Sequence, residues 1–187
     1  ILKEMKDSLF VLLVGAQSLY IAKLVSMFVL IPATLLYAKL VDCMSRFKLL
    51  CFYSSLYGVM GLVIAYLLAN PTIGLLGYEL SPYREKFGWF IYLFYEGAVP
   101  FVVSVFWSFA NSITPPNSAK RGYPVMISGS KLGGMTSAGI AWYLFSYADE
   151  KWVSDVVVYQ LLLSGASLLL CCAPYVIYVL QQDSTAK

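Results

Sequence analysis

Three ionisable residues stand inside long apolar runs of this chain: Lys23, Glu96 and Lys131. A charged side chain near a bilayer midplane costs about 2.5–3.5 kcal/mol on insertion scales. Unpaired and facing lipid, the three together would cost on the order of 8–10 kcal/mol. Two arrangements relieve that cost: a polar pathway lined by helices, or an interhelical Lys–Glu pair that fixes packing. Lys23 lies near the start of its run, where a long side chain can snorkel to the interface. The first segment adds Lys3, Glu4, Lys6 and Asp7. Lys3 and Lys6 share a helix face, and Lys3 and Asp7 have the i,i+4 spacing of a pair. On the residues alone this segment reads as a solvated cap beside the membrane. Where lysines do meet in a partly dry site, the chemistry they offer is anion binding through charge-assisted hydrogen bonds.

Other chemistries find little support. Histidine is absent, which removes the commonest metal ligand and acid–base group. Cys43, Cys51, Cys171 and Cys172 lack CxxC spacing and are expected to be small buried hydrophobes, with no metal or redox role. Nothing supplies the base, nucleophile and metal set of a hydrolase, so no enzyme activity and no cofactor are expected. Gly129-Ser130-Lys131-Leu132-Gly133-Gly134 lacks P-loop spacing and a preceding strand. Asn111 reads as a helix-end hydrogen-bonding residue, with substrate contact as its second role.

The elements that position these residues follow from hydropathy. The 187 residues are 60% hydrophobic and 12% charged, with mean hydropathy +0.74, where soluble domains carry about 25% charge. A crossing helix needs about 20 apolar residues. The expected fold is an all-α polytopic membrane protein with five full transmembrane helices plus the end of a first one. The partial helix covers residues 1–15, and the full spans are expected at about 20–41, 49–69, 87–113, 122–147 and 156–181. Pro32 predicts a kink in the second span. Loops are expected at Asn70–Lys86, at Thr114-Pro115-Pro116-Asn117 and at Ala148–Asp155. The small residues of the fifth helix, Gly122 to Gly139, suit close packing. The tryptophans near span ends suit interfacial anchoring, and Trp107 has the alternative of stacking in a cavity.

Loop charges set the orientation. Lys39, Arg46, Lys48, Lys120 and Arg121 flank two connections on one side, five basic residues against Arg84, Lys86 and Lys151 on the other. The sixth helix then returns its tail to the cytoplasm. The net charge of +3 and the lack of a basic, aromatic-interleaved run argue against nucleic acid as a partner. The chain opens at Ile1 without a methionine and without a signal-peptide pattern, which is expected of a fragment or a trimmed chain.

Phe106-Trp107-Ser108-Phe109-Ala110-Asn111-Ser112-Ile113-Thr114, followed by Ala119-Lys120-Arg121-Gly122-Tyr123-Pro124, resembles a hairpin signature of the bacterial and plastid ATP/ADP translocases. These nucleotide transporters are related to the major facilitator superfamily. Ile1-Leu2-Lys3-Glu4-Met5-Lys6-Asp7 is similar to the family's first-helix run, with Lys3 where Arg is usual. Leu19-Tyr20-Ile21-Ala22-Lys23 and Leu36-Tyr37-Ala38-Lys39-Leu40 resemble two further family segments. The resemblance implies the N-terminal six-helix half of a major-facilitator-like bundle, with a missing C-terminal half as partner. It implies exchange of nucleotides by alternating access in the bacterial inner membrane, or alternatively in the plastid inner envelope. Lys6 would help to bind phosphate, and Glu96 would be the essential fourth-helix carboxylate, with Lys23, Lys131 and Asn111 also in the substrate site. Two departures stand out. The run from Glu96 to Phe106-Trp107 is one residue shorter than in the family, and Lys131 replaces an Asn. A cation at that position adds charge for an anion but removes an amide able to read a base. Another phosphorylated anion such as NAD, or a non-transporting membrane protein that kept the fold, therefore remains an alternative.

Overall fold

The computed structural model describes residues 2–75, 82–151 and 154–185. Six helices follow one another: α1 (Leu2–Leu13), α2 (Leu19–Cys43), α3 (Arg46–Leu67), α4 (Pro82–Ile113), α5 (Pro116–Lys151) and α6 (Asp155–Thr185), with a 3-10 turn at Ala16–Ser18. No strand occurs among the described residues. Four helical segments are long and apolar enough to cross a membrane: Ala16–Cys43, Arg46–Leu67, Pro82–Ile113 and Asp155–Val179. The all-helical fold and these four spans suit an integral membrane protein. α5 forms along its expected length but is not among the four, because glycines, serines and Lys131 dilute its apolar residues.

Several boundaries differ from the hydropathy reading, each for a local reason. α4 starts at Pro82, inside the segment expected to be loop; a proline at the first helical position loses no needed N–H. α5 starts the same way at Pro116, which shortens the expected Thr114–Asn117 turn to two residues. Its first turn is closed by the Ser118 and Ala119 N–H groups, both donating to the Pro115 carbonyl at 3.0 Å. The acidic stretch from Ala148 continues α5 to Lys151, so charge there marks no helix end. Between α2 and α3 only Met44 and Ser45 are extended, and Lys39, Arg46 and Lys48 lie on helix rather than in a loop. α1 is ended by Gly15, whose φ of 113° is comfortable only for glycine. The cysteines are not buried: Cys43 and Cys172 are exposed, Cys51 and Cys171 half-buried. In a chain whose helices face lipid, an apolar residue gains little from an inside position.

Three antiparallel registers stitch α1, α3, α4 and α6 together. Along α3 and α4, Phe47 meets Phe109, Tyr53 meets Phe101 and Tyr57 meets Phe94, with ring centroids 5.9, 5.8 and 4.8 Å apart. Along α3 and α6, Gly58 lies against Cys171, Gly61 against Ser167, and the Ala65 carbonyl accepts a 2.8 Å bond from Gln160 Nε2. Any Cβ at Gly58 or Gly61 would collide with α6, so the glycines set the helix separation. Along α1 and α4, Arg84 Nη2 donates to the Leu12 carbonyl at 3.0 Å, Gly88 admits Leu13 and Val14, and Phe10 packs on Trp89 and Tyr92. α2 and α5 stand apart from this block. α2 buries only Ala22 and Ser26. α5 is held at its ends, by Trp107 on Tyr123 and by Phe145 on Tyr159. The glycines between those ends, Gly129, Gly133, Gly134 and Gly139, have nothing where a Cβ would go, so the close packing expected of them is not made among the described residues.

Candidate functional site

The α1–α4 register carries the charged site. From Leu13 back to Lys6, the facing α4 residue rises from Gly88 through Tyr92 to Glu96, so Lys6 arrives at Glu96 by helix geometry alone. Lys6 Nζ lies 2.6 Å from Glu96 Oε2 and 2.7 Å from Asp7 Oδ1. The ammonium also sits 4.1 Å from the centroid of the Tyr92 ring, a cation–π contact. The Lys6 side chain is only 5% exposed, whereas those of Glu96 and Asp7 keep 29% and 40%. Nζ donates a hydrogen bond to Asp7. With Glu96 Oε2 it forms an ion pair across the two helices. Among the described residues, one ammonium thus stands between two carboxylates.

Pro100 bears on this site directly. It has no N–H to offer the carbonyl four residues earlier, which is that of Glu96. The helical turn carrying the carboxylate thus lacks one backbone brace.

The other candidate residues lie elsewhere. Lys23 and Lys131 are exposed on α2 and α5 and form no ion pair among the described residues. Asn111 is exposed at the end of α4, where its Oδ1 accepts a hydrogen bond from the Tyr123 hydroxyl. It clasps the α4–α5 hairpin beside the Trp107–Tyr123 contact, in keeping with its helix-end reading. The Lys3 side chain, and with it the expected pair to Asp7, lies outside the described residues; Asp7 pairs with Lys6. Tyr92 escaped the sequence reading, although it stands four residues before Glu96 and so shares its face.

A cavity of about 550 Å³ opens between α1, α5 and α6, lined by Glu4, Met5, Ser8, Ser137, Phe145 and Tyr159 among others. It exists because the middle of α5 stands off from α1. Comparison with family models, with curated proteins and with solved structures found no match. The functional reading therefore rests on the residues and their geometry.

Proposed function

We propose that this chain is one half of a membrane transporter that exchanges nucleotides, ATP and ADP or similar, by alternating access, with no covalent chemistry. The observation that carries the reading is the Lys6–Glu96 pair, buried between two helices with a second carboxylate and an aromatic face around one cation. A charge cluster inside an apolar bundle is by default a functional feature. In this reading Lys6 and a substrate phosphate form a charge-assisted pair, and Glu96 takes the phosphate's place when the substrate leaves. The exposed faces of α2 and α5 support a larger assembly, with a C-terminal half covering them and bringing α5 into the bilayer as a fifth span. Lys23 and Lys131 would then enter the shared pathway from those two helices. The bacterial inner membrane is the proposed location.

Uptake of labelled nucleotides into vesicles or intact cells by the complete protein tests the proposal. Lys6→Ala should weaken binding by about tenfold or more, since a charge-assisted hydrogen bond contributes about 1.5–3 kcal/mol. Competition among ATP, ADP, GTP and NAD, repeated on Lys131→Asn, reports whether the base is read. If no nucleotide competes and neither substitution alters uptake, the nucleotide reading fails. The Lys–Glu pair would then be a packing device in a non-transporting protein.

A further inference from the structure

A shallow groove of about 590 Å³ runs along one side of α3, away from the Lys6–Glu96 pair. Its wall includes Lys48, Phe52, Ser55, Leu56, Val59 and Met60, which recur at helical spacing on one stripe. Lys48 stands at one end, in the first turn of α3, and the wall beyond it is apolar except for Ser55 and the weakly polar Cys51. From Lys48 to Met60 the stripe is about 18 Å long at 1.5 Å per residue. One leaflet of a bilayer's hydrocarbon is about 15 Å deep. α3 is one of the four segments able to cross a membrane, so Lys48 falls at the headgroup level and the groove at the depth of the acyl chains. Lys48 is exposed and forms no ion pair among the described residues. Lys39 and Arg46 add positive charge at the same end of the bundle, where Asp42 is the neighbouring acid.

We propose that this groove is a binding site for an anionic phospholipid, with the headgroup phosphate on Lys48 and one acyl chain lying along Phe52, Leu56 and Val59. A single cation without an ion pair among the described residues, at one end of a largely apolar groove, matches that ligand in charge and in length. Arg46 supplies an internal control. It is two residues from Lys48, at the same depth, but about 200° around the helix and so off the groove.

The test uses the full chain purified in detergent, with native mass spectrometry of lipid retention. The probes are phosphatidylglycerol and phosphatidylcholine of identical acyl chains. Phosphatidylglycerol should be retained in preference to phosphatidylcholine. Lys48→Ala should reduce its retention about fivefold, the effect of one interfacial cation on an anionic lipid. Arg46→Ala should change retention less than about twofold, because its charge lies on the far side of the helix and reaches the groove only through screening solvent. Val59→Trp, which fills the groove and leaves the cation, should also displace the lipid, and glycerol phosphate without acyl chains should not compete. Equal losses in the Lys48 and Arg46 variants would mean diffuse attraction and overturn the site. So would equal retention of both lipids, indifference to Val59→Trp, or effective competition by glycerol phosphate. Dissociation of a dimer by Val59→Trp would assign the groove to a second copy of the chain instead.

Discussion

Removing Lys6 alone should cost more stability than removing Lys6 and Glu96 together. Lys6→Met takes the one cation out of a cluster that then holds two carboxylates. Breaking a fully buried pair by deleting one partner costs about 3–5 kcal/mol. Here Glu96 and Asp7 keep 29% and 40% of their side-chain surface exposed, so water can take up part of the uncompensated charge. A loss of about 1–3 kcal/mol is expected after that discount. In the double variant Lys6→Met, Glu96→Gln only Asp7 is left without its cation, and its side chain is the more exposed of the two carboxylates, so stability should return to within about 1 kcal/mol of the parent. The cycle then gives a coupling of about 1–2 kcal/mol in favour of the pair. The assay is reversible unfolding in mixed detergent micelles, followed by tryptophan fluorescence, with the four proteins compared at one protein and one salt concentration. If the two single losses simply add in the double variant, Lys6 and Glu96 are not coupled. The α1–α4 register that brings them together would then be wrong.

Three further outcomes follow from the packing. Gly61→Ala should destabilise the protein by about 1–3 kcal/mol, the usual cost of overpacking, because the new methyl meets Ser167 across the α3–α6 crossing; the same unfolding assay measures it. Gly129→Ala on α5 should be neutral or stabilising by up to about 1 kcal/mol in the isolated chain, since nothing lies where its Cβ would go. A loss of uptake in the complete protein with stability unchanged would place a partner on that face. Single-cysteine labelling in a background without Cys43, Cys51, Cys171 and Cys172 should find positions 46 and 121 on one side of the membrane and position 149 on the other; residues 46 and 149 on the same side would refute the orientation.

The helices were legible because membrane hydropathy is a long-range signal, and a run such as Leu49–Leu68 has no other use. Helix ends were less legible because charge marks where a chain leaves the hydrocarbon, not where the helix stops. Tyr83–Lys86 and Asp149–Lys151 are charged and helical at once, since Glu, Lys and Arg are good helix formers. Of the candidate site, the charges of Lys6 and Glu96 were legible, and neither their pairing nor the part of Asp7 and Tyr92 was. Glu96 had three lysines to choose from in sequence, and only the α1–α4 register, set by Gly88 and the Arg84–Leu12 bond, selects Lys6. Lys131 is left out because Gly129, Gly133 and Gly134 meet no neighbour and α5 stands off. No local pattern in α5 announces that its small residues lack a partner among the described residues.

The balance of charge constrains how an anion could use this site. Lys6 already faces two carboxylates, so a phosphate entering beside it competes with them for the ammonium until one carboxylate withdraws. Asp7 adjoins Lys6 on the same helix, so a backbone motion of α1 carries both together. Glu96 belongs to the opposite helix and keeps more than a quarter of its side chain exposed. Its own carbonyl is the one that Pro100 leaves without an N–H four residues on. The partner that a backbone motion can withdraw is therefore Glu96, on the turn of α4 with a missing backbone bond. Pro100→Ala restores that bond and should tighten α4 at Glu96, seen as slower amide hydrogen exchange across residues 96–100. Under the transport reading the same change should slow exchange of substrate while sparing equilibrium binding, because it acts on the motion of the carboxylate and leaves the Lys6 charge in place. Unchanged amide exchange in the Pro100→Ala protein would show that α4 is already braced there, and the carboxylate would have to withdraw by side-chain rotation instead.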